Sequence, residues 1–409
     1  GGIAGMTAAL SLSQQGFPVH LVEKSNHLGG NACHLNTTFR NENIGDYLQT
    51  LAEKLTADPL IQLHLESALT AVEGFVGNFK SDIVSGSAAE TVEHGVAVMA
   101  IGAQESKPQE YLYGEHPAVL THLEMDEKLR TNNPRIQVAE NIVFIQCVGS
   151  RDRDRSYCSK VCCTHTIKNA LELKKDKPDI NICILYRDIR TYGQREDLFR
   201  QAREKGILFF RYELEEKPRV SAEGKRVLVS FNDPIIGRKM CVAADILCLA
   251  AAIVHQEDLA VTRMFKVPVD ADGWLLEAHQ KLRPVEFATE GVFLCGMGHY
   301  PKPIEESIAQ AQAAAAKALT VLSRESIVVG GIVSEIDPEL CSGCKGCINV
   351  CSYGAITYNS HKNVAEVNQA LCKGCGACAA ACPSEAPLLK GFNNQQIYAQ
   401  IKTAVVGQG

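Results

Sequence analysis

Gly1-Gly2-Ile3-Ala4-Gly5, with Glu23 closing the apolar run Val19-His20-Leu21-Val22, is the stretch on which the reading of this 409-residue chain turns. Glycines at the start of a helix let a pyrophosphate approach its N-terminus, and an acid about twenty residues on takes ribose hydroxyls. The spacing predicts a helix from the first glycines to about Gln15, a turn at Gly16-Phe17-Pro18 and a strand over 19–22. A complete fingerprint has one more glycine and a strand ahead of that helix, so the sequence predicts a fragment whose first strand is missing. Taken alone the pattern is weak, because Glu23 and these glycines also read as ordinary turn residues. It gains from Gly29-Gly30 and from Gly296 ahead of a helix opening near Ile304, whose N-terminus would stabilise negative charge on a reduced flavin ring. The candidate cofactor contacts are Gly2, Gly5, Glu23, Lys24, Gly29, Gly30, Gly102 and Gly296.

Further on, helical periodicity covers 45–57 and an apolar strand 95–100. A second α/β unit then reads as strand 141–147, helix 164–174, strand 181–186, helix 195–205 and strand 207–212. A strand pair at 226–231 and 239–242, and a strand at 245–250, complete a nucleotide-type domain inserted in another. Strand 291–295, the turn 296–298 and the alanine-rich helix 304–322 return to the first domain, since alanine favours helix and close packing. The expected domains are 1–139 and 257–325 for cofactor binding, 140–256 for the insert, 326–390 for a last module and 391–409 for a tail.

That last module carries the most specific pattern. Cys341, Cys344, Cys347 and Cys351 repeat as Cys372, Cys375, Cys378 and Cys382, an internal duplication about thirty residues apart. A cubane needs four thiolates at tetrahedral corners, and this spacing lets three cysteines wrap one cluster while the fourth reaches its neighbour. The expected sets are Cys341, Cys344, Cys347 and Cys382 on one cluster, and Cys372, Cys375, Cys378 and Cys351 on the other. Pro383 follows its cysteine as in bacterial ferredoxins, whereas Ser352 replaces the proline of the first run. A zinc ribbon fits eight cysteines in two such runs poorly.

A third group, Cys147, Cys158, Cys162 and Cys163, begins where a nucleotide domain would turn into its phosphate loop. Cys158 and Cys162, at i and i+4, are expected on one helical face. Arg151, Arg153, Arg155 and Lys160 would offset the charge of a tetrathiolate site. Spacing alone leaves a cluster, a redox-active disulfide and inert thiols all open. The remaining five of the seventeen cysteines, Cys33, Cys183, Cys241, Cys248 and Cys295, are isolated and are expected to pack as small hydrophobes.

Composition bounds the rest. Single cores stop growing at about 250–300 residues, so more than one domain is required. A net charge of −6 with 22% charged residues gives no polyanion-binding surface, which makes nucleic acid a poor partner. The longest weakly polar stretch, 246–254, is far short of the ~20 apolar residues of a membrane helix, and no leader opens the chain. A protein that is not exported and not inserted in a membrane is expected, and thiols in a reducing compartment ligate metal rather than pair.

Cys147-Val148-Gly149-Ser150-Arg151-Asp152, Tyr157-Cys158-Ser159, Cys162-Cys163, Pro301-Lys302 before the alanine-rich helix and the double cysteine run together resemble the A subunit of heterodisulfide reductase. The resemblance spans nearly the whole chain and extends to the flavoprotein subunits of quinone-interacting oxidoreductases. It implies a thioredoxin reductase-like α/β fold: an FAD-binding Rossmann-type domain, an inserted nucleotide-type domain with a [4Fe-4S] cluster on Cys147, Cys158, Cys162 and Cys163 in place of NADPH, and a C-terminal α+β double [4Fe-4S] ferredoxin module. Three clusters follow for this fragment, which lacks the N-terminal cluster domain of full-length members. The resemblance also implies an oxidoreductase in the cytoplasm, passing electrons between a two-electron flavin and one-electron clusters, in methanogens by flavin-based bifurcation. Its partners would be ferredoxin, a second copy in a homodimer, disulfide- or quinone-reducing subunits and a hydrogenase or dehydrogenase electron-input subunit. Lys168 and Lys302 are the candidate catalytic cations near the isoalloxazine. Ile101 departs from the threonine of an Ala-Thr-Gly flavin motif, and Met297 from a common aspartate. The alternatives are an NAD(P)H-dependent, ferredoxin-linked enzyme such as a glutamate synthase small subunit, and a wiring subunit without turnover of its own.

Overall fold

The computed structural model describes residues 1–327, 332–369 and 371–406, the side chain of Val406 excepted. The sequence boundary at 326 therefore opens onto 328–331, and the tail 391–409 ends on 407–409, stretches outside the described residues.

Helix α1 (Ile3–Ser13) is apolar on nearly every side, as a helix enclosed by a core must be, and leads into strand β1 (Val19–Val22). Helix α2 (Ile44–Ala57), capped by the Asn43 side chain, is followed by β2 (Ile61–His64), which pairs parallel with β1. A meander of β3 (Ser67–Phe75), β4 (Asn78–Ser85) and β5 (Ala88–His94) precedes β6 (Ala97–Met99) and β7 (Ala103–Glu105). The strand expected over 95–100 is thus shorter at both ends.

The middle unit opens with β8 (Val119–Thr121) and α3 (His122–Arg130), which starts on a reciprocal capping box between Thr121 and Glu124. A short α4 (Pro134–Val138) leads to β9 (Asn141–Val148), then α5 (Cys162–Asp176), β10 (Asn181–Tyr186), α6 (Glu196–Glu204) and β11 (Leu208–Arg211). The meander β12 (Arg219–Glu223), β13 (Arg226–Asp233) and β14 (Arg238–Ala244) and strand β15 (Ile246–Ala251) follow. The sheet is parallel throughout, in the order β11-β10-β9-β15-β8. β9 and β15 are its central strands and are buried almost residue by residue, which is why they read as unbroken apolar runs.

The chain returns through β16 (Ile253–His255), antiparallel to β7, and α7 (Ala260–Met264). Strand β17 (Val292–Leu294) then pairs parallel with β6, and α8 (Ile304–Leu322) packs on α1. Ala4 and Ala8 there face a stripe of Ala311, Ala314, Ala315 and Ala318, small side chains that let the two helices approach closely. The last module contains β18 (Ser334–Ile336), α9 (Gly346–Val350), β19 (Ile356–Asn359), β20 (Val364–Val367), α10 (Ala377–Ala381) and β21 (Pro387–Leu389). It is built as two similar halves, β18 pairing with β21 and β19 with β20, and an exposed α11 (Asn394–Val406) follows. Among the described residues no helix is long and apolar enough to cross a membrane.

Cys158 does not share a helical face with Cys162, because α5 begins only at Cys162. Lys160 is left-handed (φ 61°), a conformation no helix of L-residues sustains, so 158 and 162 lie on opposite sides of a break.

A candidate flavin cavity beside a thiol cluster

A cavity of about 540 Å³ lies where the ends of α1 and β1, the loop after β6 and the start of α8 meet the cysteine loop and α3 of the middle unit. Gly2, Glu23, Lys24, Gly29, Gly30, Gly102 and Gly296 line it, as do Lys168 and Lys302. Gly5 does not. A Cβ there would stand 3.3 Å from that of Ala100 and 3.7 Å from Leu21, so this glycine brings α1 onto its neighbouring strands and lies behind the wall.

The wall has the features a dinucleotide requires. Among the described residues no side chain caps α1, so its first N–H groups are free to meet an anion. Among the described residues a Cβ built on Gly2 meets nothing within 4 Å beyond its chain neighbours, and Gly2 lines the cavity, whereas Gly29 (φ 111°) and Gly30 (φ 53°) hold left-handed backbone that brings the next loop against Gly2. Glu23 is held in place by the Ser25 N–H and hydroxyl, which donate to its Oε1 at 2.8 and 2.7 Å. Lys24 Nζ donates to Gln256 Oε1 at 3.3 Å. Ile101 and Met297, the two departures from flavin motifs, also line the cavity.

At the α5 side the wall is ionic. Lys168, 6% exposed, has its Nζ 4.0 Å from Asp126 Oδ2 and 3.5 Å from Glu172 Oε2, and among the described residues it makes no hydrogen bond. A buried ammonium group without a hydrogen-bond partner suits an electron-rich ligand. Asp126 accepts from Asn169 at 2.6 Å and pairs with His165 at 2.8 Å. Burial alone would raise its carboxyl, yet His165, Lys168 and Asn169 hold it well below the usual carboxylate range. His122, stacked on His165 at 4.7 Å, is pushed well down by burial and by that neighbour, and it shares the Thr166 hydroxyl with Gln146. Sequence reading missed Asp126, His122 and His165. His165, Lys168, Asn169 and Glu172 recur at helical spacing on one face of α5, which was the available clue.

Lys302, 3% exposed, donates to the Gly296 carbonyl at 2.7 Å and to Gln310 Oε1 at 2.8 Å. Glu305 and Glu306, in the first turn of α8, reach the middle unit, Glu305 to Arg195 and Glu306 to Lys160 and Tyr192. These contacts close one side of the cavity.

Lys160, Val161 and Cys162 of the cysteine loop belong to the same wall. Cys147 (φ 60°), next to last in β9, has left-handed backbone and receives the Arg151 guanidinium at 3.7 Å. The Lys160 N–H points at Cys158 Sγ (3.3 Å). The Cys162 thiol is pushed well up by its hydrogen bond with Cys163, by burial and by the Cys147 and Cys158 thiols, while that same hydrogen bond lowers Cys163. Cys163, Cys147 and Cys158 are thus the thiols that bear on Cys162, Cys163 most strongly.

In the last module Cys351 lines one small cleft with Cys372, Cys375 and Cys378. Burial pushes the Cys347 thiol up, helped by its neighbours Cys341, Cys344 and Cys378. Cys382 is held down chiefly by its hydrogen bond with Ser384 (3.5 Å). Backbone N–H groups aim at sulfur from Ser334 to Cys372 (3.2 Å), Ala355 to Cys351 (3.3 Å) and Ala365 to Cys341 (3.5 Å), the outer hydrogen bonds that tune a cluster. Among the described residues no three thiol, imidazole or carboxylate groups are placed to share a single metal ion. Of the isolated cysteines, Cys183, Cys248 and Cys295 are buried, Cys33 is half-buried and Cys241 is exposed on β14.

Comparison with known proteins agrees with these features. Residues 334–383 match the model of the 4Fe-4S dicluster domain, and residues 1–47 that of an NAD(P)-binding Rossmann-like domain. The chain is 32% identical to an iron-sulfur A subunit (form 2) of the CoB–CoM heterodisulfide reductase of Methanopyrus kandleri, over 87% of this chain and 68% of that protein. It is 30% identical to a heterodisulfide reductase A-subunit-like protein of Archaeoglobus profundus, over 98% of this chain and 77% of that protein. Thioredoxin reductases of T. acidophilum (TM-score 0.55, 13% identity, 79% of this chain and 96% of that one) and Lactococcus lactis (0.53, 16%, 79% and 96%) share the fold. With its thioredoxin reductase-like flavoprotein fold and its dicluster module, the chain is an FAD- and iron–sulfur-containing oxidoreductase, and it belongs to the family of heterodisulfide reductase A subunits.

Proposed function

We propose that one FAD occupies the large cavity and that three [4Fe-4S] clusters serve it, one on Cys147, Cys158, Cys162 and Cys163 and two in the last module. Residues 1–139 and 257–325 form the flavin domain in this reading, 140–256 the inserted domain and 326–390 the ferredoxin module. The observation that carries it is the shared wall: Lys160, Val161 and Cys162 border the same space as the Gly2 and Gly29-Gly30 backbone, leaving no intervening layer between the sulfur site and the flavin site. When bound, FAD supplies the exchange between paired and single electrons, chemistry that side chains lack.

The chain's own groups do the rest. The α1 N-terminus and Gly2 receive the pyrophosphate, and Glu23 takes the ribose hydroxyls. Lys168 presents a cation to the ring, and Lys302 lines the same cavity as a second, protonatable amine. Arg151 offsets the charge of the thiolates at Cys147, and the cysteines of the last module carry single electrons to the surface, where Cys344 and Cys375 are exposed.

A relative from Methanothermobacter marburgensis is named as the A subunit of an H2:CoB-CoM heterodisulfide,ferredoxin reductase. We extend that to this chain as a cytoplasmic, multi-subunit complex that divides electron pairs between a disulfide- or quinone-reducing partner and ferredoxin, by bifurcation at the flavin. The NAD(P)H-dependent reading is disfavoured by Cys147 to Ser150, which stand where its phosphate loop belongs. Flavin and iron quantitation of purified protein, with paramagnetic resonance during a redox titration, tests the proposal; a holoprotein without flavin absorbance would overturn it.

A further inference from the structure

Lys302 stands in the wall between two cavities. One is the flavin cavity. The other is a cleft of about 530 Å³ lined by Glu277, His299, Gln310 and the exposed Tyr300, with Lys302 at its inner end.

The hydrogen bonds around this lysine have one consistent direction. Gly296 N is a donor, so the Gln310 atom it meets at 3.0 Å is the amide oxygen. The Gln310 nitrogen therefore faces His299 Nδ1 at 2.8 Å, and Nδ1 must accept. The ring proton then sits on Nε2 and is donated to Glu277 Oε2 at 2.8 Å. A second ring proton would collide with the Gln310 N–H, so His299 stays neutral, in keeping with the downward pull of burial and of Lys302. Gln310 Oε1 has both lone pairs engaged, by Gly296 N and Lys302 Nζ, and the Gly296 carbonyl takes a second Lys302 proton. Charged or neutral, Lys302 can keep these two bonds. Only the third proton of its ammonium form is free to come and go.

Burial above all pulls this lysine down to about 7. The groups facing it are Cys295 after β17, Lys160 of the cysteine loop, Glu306 on α8, and Glu277 and the neutral His299 from the cleft side. The Tyr300 ring lies 4.1 Å from Nζ.

We propose that Lys302 is a proton-switching cation: it takes a proton from water in the outer cleft when negative charge arrives in the flavin cavity, and returns it when that charge leaves. The inference rests on the placement of FAD above. A flavin that gains two electrons, from the clusters or an added reductant, and one proton carries one negative charge; the proton bound by Lys302 Nζ cancels it. No bond other than that N–H forms or breaks, and the site as a whole takes up two electrons with two protons.

The test is the pH dependence of the midpoint potential of the bound flavin, titrated with dithionite, in the wild type, Lys302→Arg and Lys302→Met. Above about pH 7, where the resting lysine is neutral, the wild type takes up two protons per electron pair. Both variants take up one, the arginine because its charge is permanent and the methionine because it has none. Variants that keep the wild-type slope with a full complement of flavin would overturn the proposal. A second measurement is independent of the flavin: competitive acetylation of the lysines of the full chain, read by mass spectrometry against pH. Lys302 is expected to show its midpoint near 7, and one near the ordinary ~10.4 in a chain that binds flavin overturns this proposal alone. A wild-type chain that binds no flavin overturns the placement of FAD and this proposal with it.

Discussion

Gly2→Ala separates cofactor binding from folding. Gly2 is the N-cap of α1 with φ −74° and ψ 175°, backbone that alanine adopts freely, and an added Cβ meets no atom of the described residues beyond its chain neighbours within 4 Å. The fold should lose no more than about 1 kcal/mol, the usual cost of putting alanine in place of a better N-cap residue. The methyl enters the cavity at the helix N-terminus, where the pyrophosphate is placed. An added methyl forced into a filled space costs about 1–3 kcal/mol, and at 1.4 kcal/mol per tenfold this lowers FAD affinity roughly 5- to 150-fold. Equilibrium dialysis of FAD against flavin-stripped protein measures the affinity, and circular dichroism melting measures the fold. Wild-type affinity in a variant with unchanged melting would mean that the pyrophosphate does not pass Gly2, and the orientation given to the cofactor would be wrong.

Gly296→Ala should do the reverse and strike the fold first. Gly296 has φ 74° and its added Cβ falls 2.8 Å from that of Ala4, so left-handed strain of about 1–2 kcal/mol adds to overpacking of about 1–3 kcal/mol; thermal unfolding indistinguishable from wild type would contradict this. Asp126→Asn strips Lys168 of one of its two carboxylates and should cost about 3–5 kcal/mol at neutral pH. Because the folded carboxyl lies below its unfolded value of ~3.9, that stabilisation is present above about pH 4 and is lost as pH falls through the folded value; a stability difference that does not shrink in acid would refute it. Cys375→Ser should abolish one ferredoxin-type paramagnetic signal and about four irons, and an intact pair of signals would remove Cys375 from the ligands.

The sequence made legible what depends on period and spacing. The helix expected over 304–322 and the strand over 181–186 match the structure to the residue, because alanine density and an unbroken apolar run are local properties. The cavity glycines were likewise readable from several short local patterns, whereas Gly5 packs closely onto Ala100 and Leu21 instead. What could not be read depends on distant segments. Asp126 on α3 meets His165 and Lys168 on α5 only because β8 and β9 flank β15 in one sheet, and nothing near residue 126 in the sequence announces it. The link Gln310–His299–Glu277 is also tertiary, joining α8 to loop residues up to thirty-three positions away. The break at Lys160 was hidden for another reason: a left-handed lysine has no sequence signature, so i, i+4 spacing suggested a helix where the backbone turns.

On the reading proposed above, four thiols from a strand end, a loop and a helix start hold iron against the flavin cavity. Iron content of purified Cys162→Ser beside the wild type tests it most directly. With three clusters the wild-type chain carries about twelve irons and the variant about four fewer, with the ferredoxin-type signals retained in both. Equal iron in the two proteins would contradict it.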